Sequence, residues 1–442
     1  MCHATDAREH FLIGFDGVEI LGYGCYVCTV GETFSILHVI FILYLYYIYD
    51  IFIFMLADGN YTENSVSKRN NAGKKTCALT IRAEENVTET NGLSGTYILG
   101  LCGTENESEF RIAATLSDYS CIVYSAGDRL ERIIKLDHNA SPIVGTKFSS
   151  CSKHILYTAT QDGIITACDL RAKGKIIATI RDCTPDGKLR PFASFEISKD
   201  DRLVVAGSEH VGGDAFILFW DLRYNSGRTE GKSDLLGGYW ESHMDDVTTL
   251  AFHPKERDIL GSGSTDGLIN VFNLTKSNED SALKYSLNTE SSVDRLGWLN
   301  NGNIWCTTHT HGLQLWDCED AEPYAKFNRN SDEDTCYVVR MHNTNVFGQP
   351  FLLTGTTGAK GELSGLSIAN GNLEMSYSFI GNKQLVRDSW YNEKSDCLVT
   401  GGEMGILNLW KRSDSSPLAA VAQAEYKSGG KTRDNERRAK PY

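Results

Sequence analysis

Residues 243–274 read HMDDVTTLAFHPKERDILGSGSTDGLINVFNL, and this pattern decides the fold. Short apolar and β-branched runs alternate with turn residues, which predicts strands over 247–252, 259–264 and 268–272. Thr265-Asp266-Gly267 joins the second run to the third and is a hairpin signal, because Gly accepts the positive φ that such a turn demands. Leu283-Lys284-Tyr285-Ser286-Leu287 alternates apolar and polar residues and supplies a fourth strand. A lone four-stranded sheet has no partner for its faces, so it requires neighbours of its own kind.

The chain supplies them. Third strands of successive units end at Tyr124, Cys168, Trp220, Phe272, Trp316, Leu366 and Trp410, separated by 44, 52, 52, 44, 50 and 44 residues. Six residues before most of these stands a turn, at Asp118, Asp162, Asp214, Asp266, Lys360 and Met404; Gly follows at 163, 267, 361 and 405, and His311-Gly312 serves the fifth unit. A period at or slightly above ~40–45 residues with four strands per repeat marks a β-propeller. The expected fold class is therefore all-β, with seven blades over 76–411. The last unit has only three strands, and the orphan alternating run 77–83 (CALTIRA) is expected to complete it and close the ring non-covalently.

The 442 residues carry a net charge of −14, which disfavours a sequence-independent nucleic-acid binder, since phosphate contacts need clustered Lys and Arg. The 13 cysteines are scattered, and the lone Cys25-Tyr26-Val27-Cys28 has no second pair at zinc-ligand spacing. Cys121, Cys168, Cys306 and Cys397 fall inside expected strands as small buried hydrophobes, a reading that implies a reducing, intracellular compartment, cytoplasmic or nuclear. The sequons at Asn60, Asn86, Asn106, Asn139 and Asn273 then go unused.

Residues 1–56 differ from the rest. The run 34–56 (FSILHVIFILYLYYIYDIFIFML) is long enough to span a bilayer, which would tether the propeller to a membrane, with Lys68, Arg69, Lys74 and Lys75 on the cytoplasmic side. Its rival is a misplaced start, with Met55 opening an ordinary polar N-terminus; that reading is favoured, and 57–75 is then a polar linker. The tail 412–442 lacks hydrophobic periodicity, carries Lys427, Lys431, Arg433, Arg437, Arg438 and Lys440, and is expected to be disordered.

Catalytic motifs are weak. Gly429-Gly430-Lys431-Thr432 resembles the end of a phosphate loop, but Glu425 stands where its first Gly belongs. Gly261-Ser262-Gly263 lies within a strand pattern, away from any helix N-terminus. His243, Ser262 and Asp266 have the composition of a hydrolytic triad, yet His138 and Asp162 recur 24 apart as His243 and Asp266 do 23 apart. A recurring pair fits a buried relay bracing turn against strand better than a nucleophile. No catalytic residue, metal ligand or cofactor is expected.

These units resemble the WD-repeat β-propeller family. The WD dipeptide stands at Trp220-Asp221 and Trp316-Asp317, and is degraded at Cys168-Asp169, Phe272-Asn273 and Trp410-Lys411. The whole stretch 96–411 is similar to one member of that family, while 1–56 falls outside the likeness. The resemblance implies a non-enzymatic scaffold that binds other proteins, itself a monomer within complexes. Trp220-Asp221-Leu222-Arg223 also matches the WDxR box of substrate receptors for cullin-4 ubiquitin ligases, with Arg171 in a half-match one blade earlier. That likeness implies adaptor binding by Arg171, Trp220, Asp221 and Arg223, against the alternative of arginines paired with local carboxylates. The longer loops 224–233 and 328–334 are the expected partner-specific surfaces.

Overall fold

The computed structural model describes residues 14–15, 18–19, 79–88, 95–105, 109–181, 190–222, 235–328, 336–343, 350–357, 361–369 and 372–411, with backbone alone for 14–15, 18–19, 79–88 and 369. The apolar run 34–56, the linker 57–75, the tail, the Cys25/Cys28 pair, Arg223, the loop 224–233 and all but Asn328 of the loop 328–334 lie outside these residues. The chain divides into two compact units, 1–74 and 75–442. In the first, Gly14–Phe15 pairs antiparallel with Val18–Glu19.

The second unit is a seven-bladed β-propeller of antiparallel, four-stranded sheets. Blade four contains Thr249–Phe252, Ile259–Gly263, Leu268–Asn273 and Leu283–Asn288, close to the strands expected from its sequence. Gly267 has φ +87° and turns the hairpin, as the Asp-Gly signal requires. The first strands of the seven blades are Ile98–Gly103, Ile143–Phe148, Phe192–Ile197, Thr249–Phe252, Val293–Trp298, Cys336–His342 and Val386–Asn392. They surround a central channel of about 730 Å³.

Packing explains why no blade stands alone. Each apolar cluster lies between two neighbours: Ile98, Ile112 and Tyr124 of blade one meet Val399 and Leu409 of blade seven. Tyr157 and Ile165 of blade two meet Phe192 and Trp220 of blade three. Trp220, Trp316 and Trp410 are the largest fully buried side chains and anchor three such contacts. Cys102, Cys121, Cys168, Cys306 and Cys397 are buried free thiols within these layers.

The strand expected over 77–83 runs Leu79–Thr88. It pairs antiparallel with Ile406–Lys411, the third strand of blade seven. Its first residues also pair in parallel with Asn372–Ile380, the outer strand of blade six, a contact that alternation alone does not reveal. Blades six and seven thereby share one continuous sheet.

A bulge interrupts the first strand in six blades. In five it falls at the same step and sets Gly100, Gly145, Ser194, Arg295 and Asp388 at one level of the channel; in blade six it falls further along, before Arg340. An extra residue on the innermost strand sharpens its local twist and re-aims the following side chain.

Candidate binding surface and central channel

The relay in blade four is built from a turn and a connection. His243 ends the outer strand of blade three, and its Nδ1 lies 3.0 Å from Asp266 Oδ2 while Nε2 lies 2.7 Å from Ser262 Oγ. A carboxylate only accepts, so Nδ1 carries the proton and, in the neutral ring, Nε2 accepts from the serine hydroxyl. Asp266 also accepts from the backbone N–H of Met244 (3.0 Å) and Leu268 (2.8 Å). Burial opposes ionisation of Asp266, but His243 and these amides outweigh it and hold the carboxyl below its ordinary range. Ser262 is fully buried and out of reach of any substrate, so the arrangement fixes the connection to the turn.

Blade two differs. His138 and Asp162 are both exposed, and among the described residues no hydrogen bond joins them. His138 Nε2 lies 3.5 Å from Cys168 Sγ, and Thr158 bonds Thr166 at 2.7 Å, so the hydroxyl matching Ser262 is already engaged. In blades five and seven glutamines at other positions make comparable ties, Gln314 from the third strand and Gln384 from the connection before the first. Gln314 Nε2 donates to Thr289 O while Oε1 accepts from Trp316 Nε1, and Gln384 Oε1 accepts from the amides of Met404 and Ile406. Sequence reading missed both, because Gln carries no family signature.

The WDxR residues separate by burial. Trp220 and Asp221 are buried. Arg171, with 63% of its side chain exposed, lays Nε and NH2 against Asp169 at 3.1 and 2.8 Å. This fork holds the Asp169 carboxyl at about 2, chiefly through the side-chain bonds from Arg171. The guanidinium is thus engaged by the local carboxylate at the start of its own 3-10 turn, Leu170–Ala172.

In the channel, buried Asp388 of blade seven gathers three neighbours. Its Oδ1 accepts from Arg295 NH1 of blade five (2.8 Å) and Arg340 NH1 of blade six (3.2 Å), and its Oδ2 from the Leu101 amide of blade one (2.8 Å). Burial works against the Asp388 charge, but the two arginines outweigh it and lower the pKa. Beside it, burial with Arg340 nearby drops His342 to about 3, so the ring is neutral and bonds Ser389 Oγ at 2.8 Å. Among the described residues, no group of three or more His, Cys, Asp or Glu is placed to hold a metal ion, and no helix is long and apolar enough to cross a membrane.

The antiparallel meander separates two faces. One carries the turns between second and third strands and the connections from blade to blade. Its described residues include Asp118, Asp137, Asp162, Glu209, Asp214, Asp245, Asp246, Asp266, Glu290, Glu362 and Glu403; Lys135 pairs with Asp118, Lys326 with Glu290 and Arg387 with Glu403, and Arg181, Arg190 and Lys383 lie toward the same face. On it Met244 is 78% and Met404 57% exposed, with Tyr97, Tyr119 and Val211 also open to solvent. The opposite face mixes signs: Lys153, Arg171, Lys199, Arg202, Lys255 and Arg257 stand among acidic residues such as Asp169, Asp200 and Asp258.

Seven four-stranded blades, WD dipeptides at the ends of third strands and a His–Ser–Asp relay are features of a WD-repeat β-propeller, and the curated proteins that the chain resembles are WD repeat-containing proteins. The chain is 33% identical over 175 residues to the WD repeat-containing protein GTS1 of Arabidopsis thaliana, spanning 39% of this chain and 40% of that protein. It is 28% identical over 283 residues to the WD repeat-containing protein YNL035C of Saccharomyces cerevisiae, spanning 62% and 67%. It is 35% identical over 78 residues to the WD repeat-containing protein 89 homolog of Dictyostelium discoideum, spanning 17% of this chain and 22% of that protein. No family model matches the chain.

Proposed function

We propose that the protein is a non-catalytic scaffold that binds other proteins through the turn face of its propeller. The observation that carries this reading is the pairing, on one face, of exposed Met244, Met404, Tyr97, Tyr119 and Val211 with carboxylates that outnumber the cations beside them. Exposed apolar side chains offer area that a docked partner can remove from water, and carboxylates around them add charge selectivity. The buried relay and the channel brace Asp388 leave these rigid, pre-formed surfaces as the molecule's means of action. A membership precedent supports the reading: the GATOR2 complex protein WDR24 of Danio rerio is 24% identical over 214 residues, 47% of this chain and 24% of that protein.

Affinity purification of the full chain tests it. A partner recovered in stoichiometric amount, and lost when Met244→Ser and Met404→Ser are combined, is the expected result. Recovery of the chain alone overturns the scaffold reading. The same experiment with Arg171→Ala and Arg223→Ala addresses the ligase-receptor alternative: cullin-4 and its adaptor absent from parent and variant alike eliminates it.

A further inference from the structure

The turn face is most one-sided between blades two and four. Gln161 Nε2 donates to Glu209 Oε1 at 2.6 Å, tying the turn of blade two to that of blade three. The amide of His210 donates to Asp246 Oδ1 at 2.7 Å, and the amide of Thr265 to Asp246 O at 3.0 Å, tying blade three to blade four. The turns thus form one continuous ridge. Asp162, Asp214 and Asp245 stand exposed along it, and the tip between Val211 and Asp214 carries Gly212 and Gly213 at φ +71° and +111° with open space around them. Exposed Val211 and Met244 sit among these carboxylates. The described cations nearest the ridge are Arg181, which ends the outer strand of blade two opposite Ile164, and Arg190, whose guanidinium lies over the Phe216 ring at 4.5 Å, so carboxylates outnumber them.

We propose that this ridge docks a Lys- and Arg-rich segment of a partner protein that also carries apolar side chains. The inference rests on the scaffold reading and adds the chemistry of the partner. Charge complementarity selects the sign, because a surface with excess negative charge draws cations toward it over roughly a Debye length, ~8–10 Å, and repels acidic competitors. Val211 and Met244 supply the apolar contacts, and Met adapts to varied side chains. The carboxylates do not converge as a cation site would: Glu209 is committed to Gln161 and Asp246 to His210, leaving the rest spread along the ridge.

The test uses the full chain and a fluorescent synthetic peptide alternating Lys or Arg with Leu, followed by anisotropy at low and physiological salt. The variant Asp162→Asn, Asp214→Asn, Asp245→Asn is expected to bind it about tenfold more weakly, with a shallower salt dependence. Glu319→Gln, Asp320→Asn, Glu322→Gln, on an exposed loop of blade five, makes the same charge change elsewhere and should bind like the parent. Met244→Ser should weaken binding a few-fold at every salt concentration. Unchanged binding by the ridge variant, or equal loss in the blade-five variant, overturns the proposal. A partner recovered by affinity purification whose binding ignores the ridge charges leaves the scaffold standing and removes only this inference, whereas recovery of the chain alone removes the scaffold itself.

Discussion

Trp220 is buried completely, yet its indole N–H has no acceptor among the described residues. The comparison lies within the same molecule. Trp410 donates to Thr400 Oγ1 at 2.9 Å, and Thr400 occupies the second-strand position that Ser262 holds in blade four. In blade three Ala206 stands there, opposite Leu218. Ala206→Ser is expected to supply the missing acceptor and stabilise the fold by about 1 kcal/mol, read as a raised midpoint in chemical denaturation. The converse change, His243→Ala, removes the centre of a satisfied relay and should cost about 1–3 kcal/mol by the same measurement. At this scale the sequence was legible where residue type dictates geometry: Asp266-Gly267 announces its turn, and His243 and Asp266 meet. It was silent where a substitute does the work, as Gln314 and Gln384 do, and the spacing of His138 and Asp162 pointed to a contact that their exposed positions do not make.

Strand periodicity marked most blades because buried third strands and Gly-bearing turns repeat along the chain. Pairing partners and bulges left no such trace. Nothing in Asn372–Ile380 signals that it will take a parallel neighbour from Leu79–Thr88, since both its faces and its edge depend on which strand arrives. Deleting 74–84 removes backbone partners from two blades at once and should lower the melting temperature sharply; an unchanged value would refute the structural role of this strand. Asp388 acts across elements as well, through Arg295, Arg340 and the Leu101 amide. Replacing it with Asn leaves two arginines uncompensated and is expected to cost on the order of 3 kcal/mol at neutral pH. Because the folded-state pKa of Asp388 is lowered, its stabilisation is present above the unfolded value near ~4 and fades as pH falls through the folded value. The melting difference between parent and Asp388→Asn should therefore be largest at neutral pH and shrink in acid, and a gap that persists at low pH would contradict this account.

Over the whole molecule, charge and topology divide the labour. The net charge of −14 gives no hint of where the charge falls; the meander concentrates an excess of carboxylates on the turn face and intersperses cations on the other. The ring that displays them closes through a strand from the beginning of the propeller and one from its end. Thr88 meets Ile406, some 320 positions later. On the ribosome, at ~5–20 residues per second, that interval lasts roughly 15–60 s, during which the early strand has no mate and the outer strand of blade six appears only near its close. Nascent chains halted before residue 372 should therefore remain protease-sensitive around 79–88, and for that interval the early strand presents an unpaired edge open to pairing with other chains.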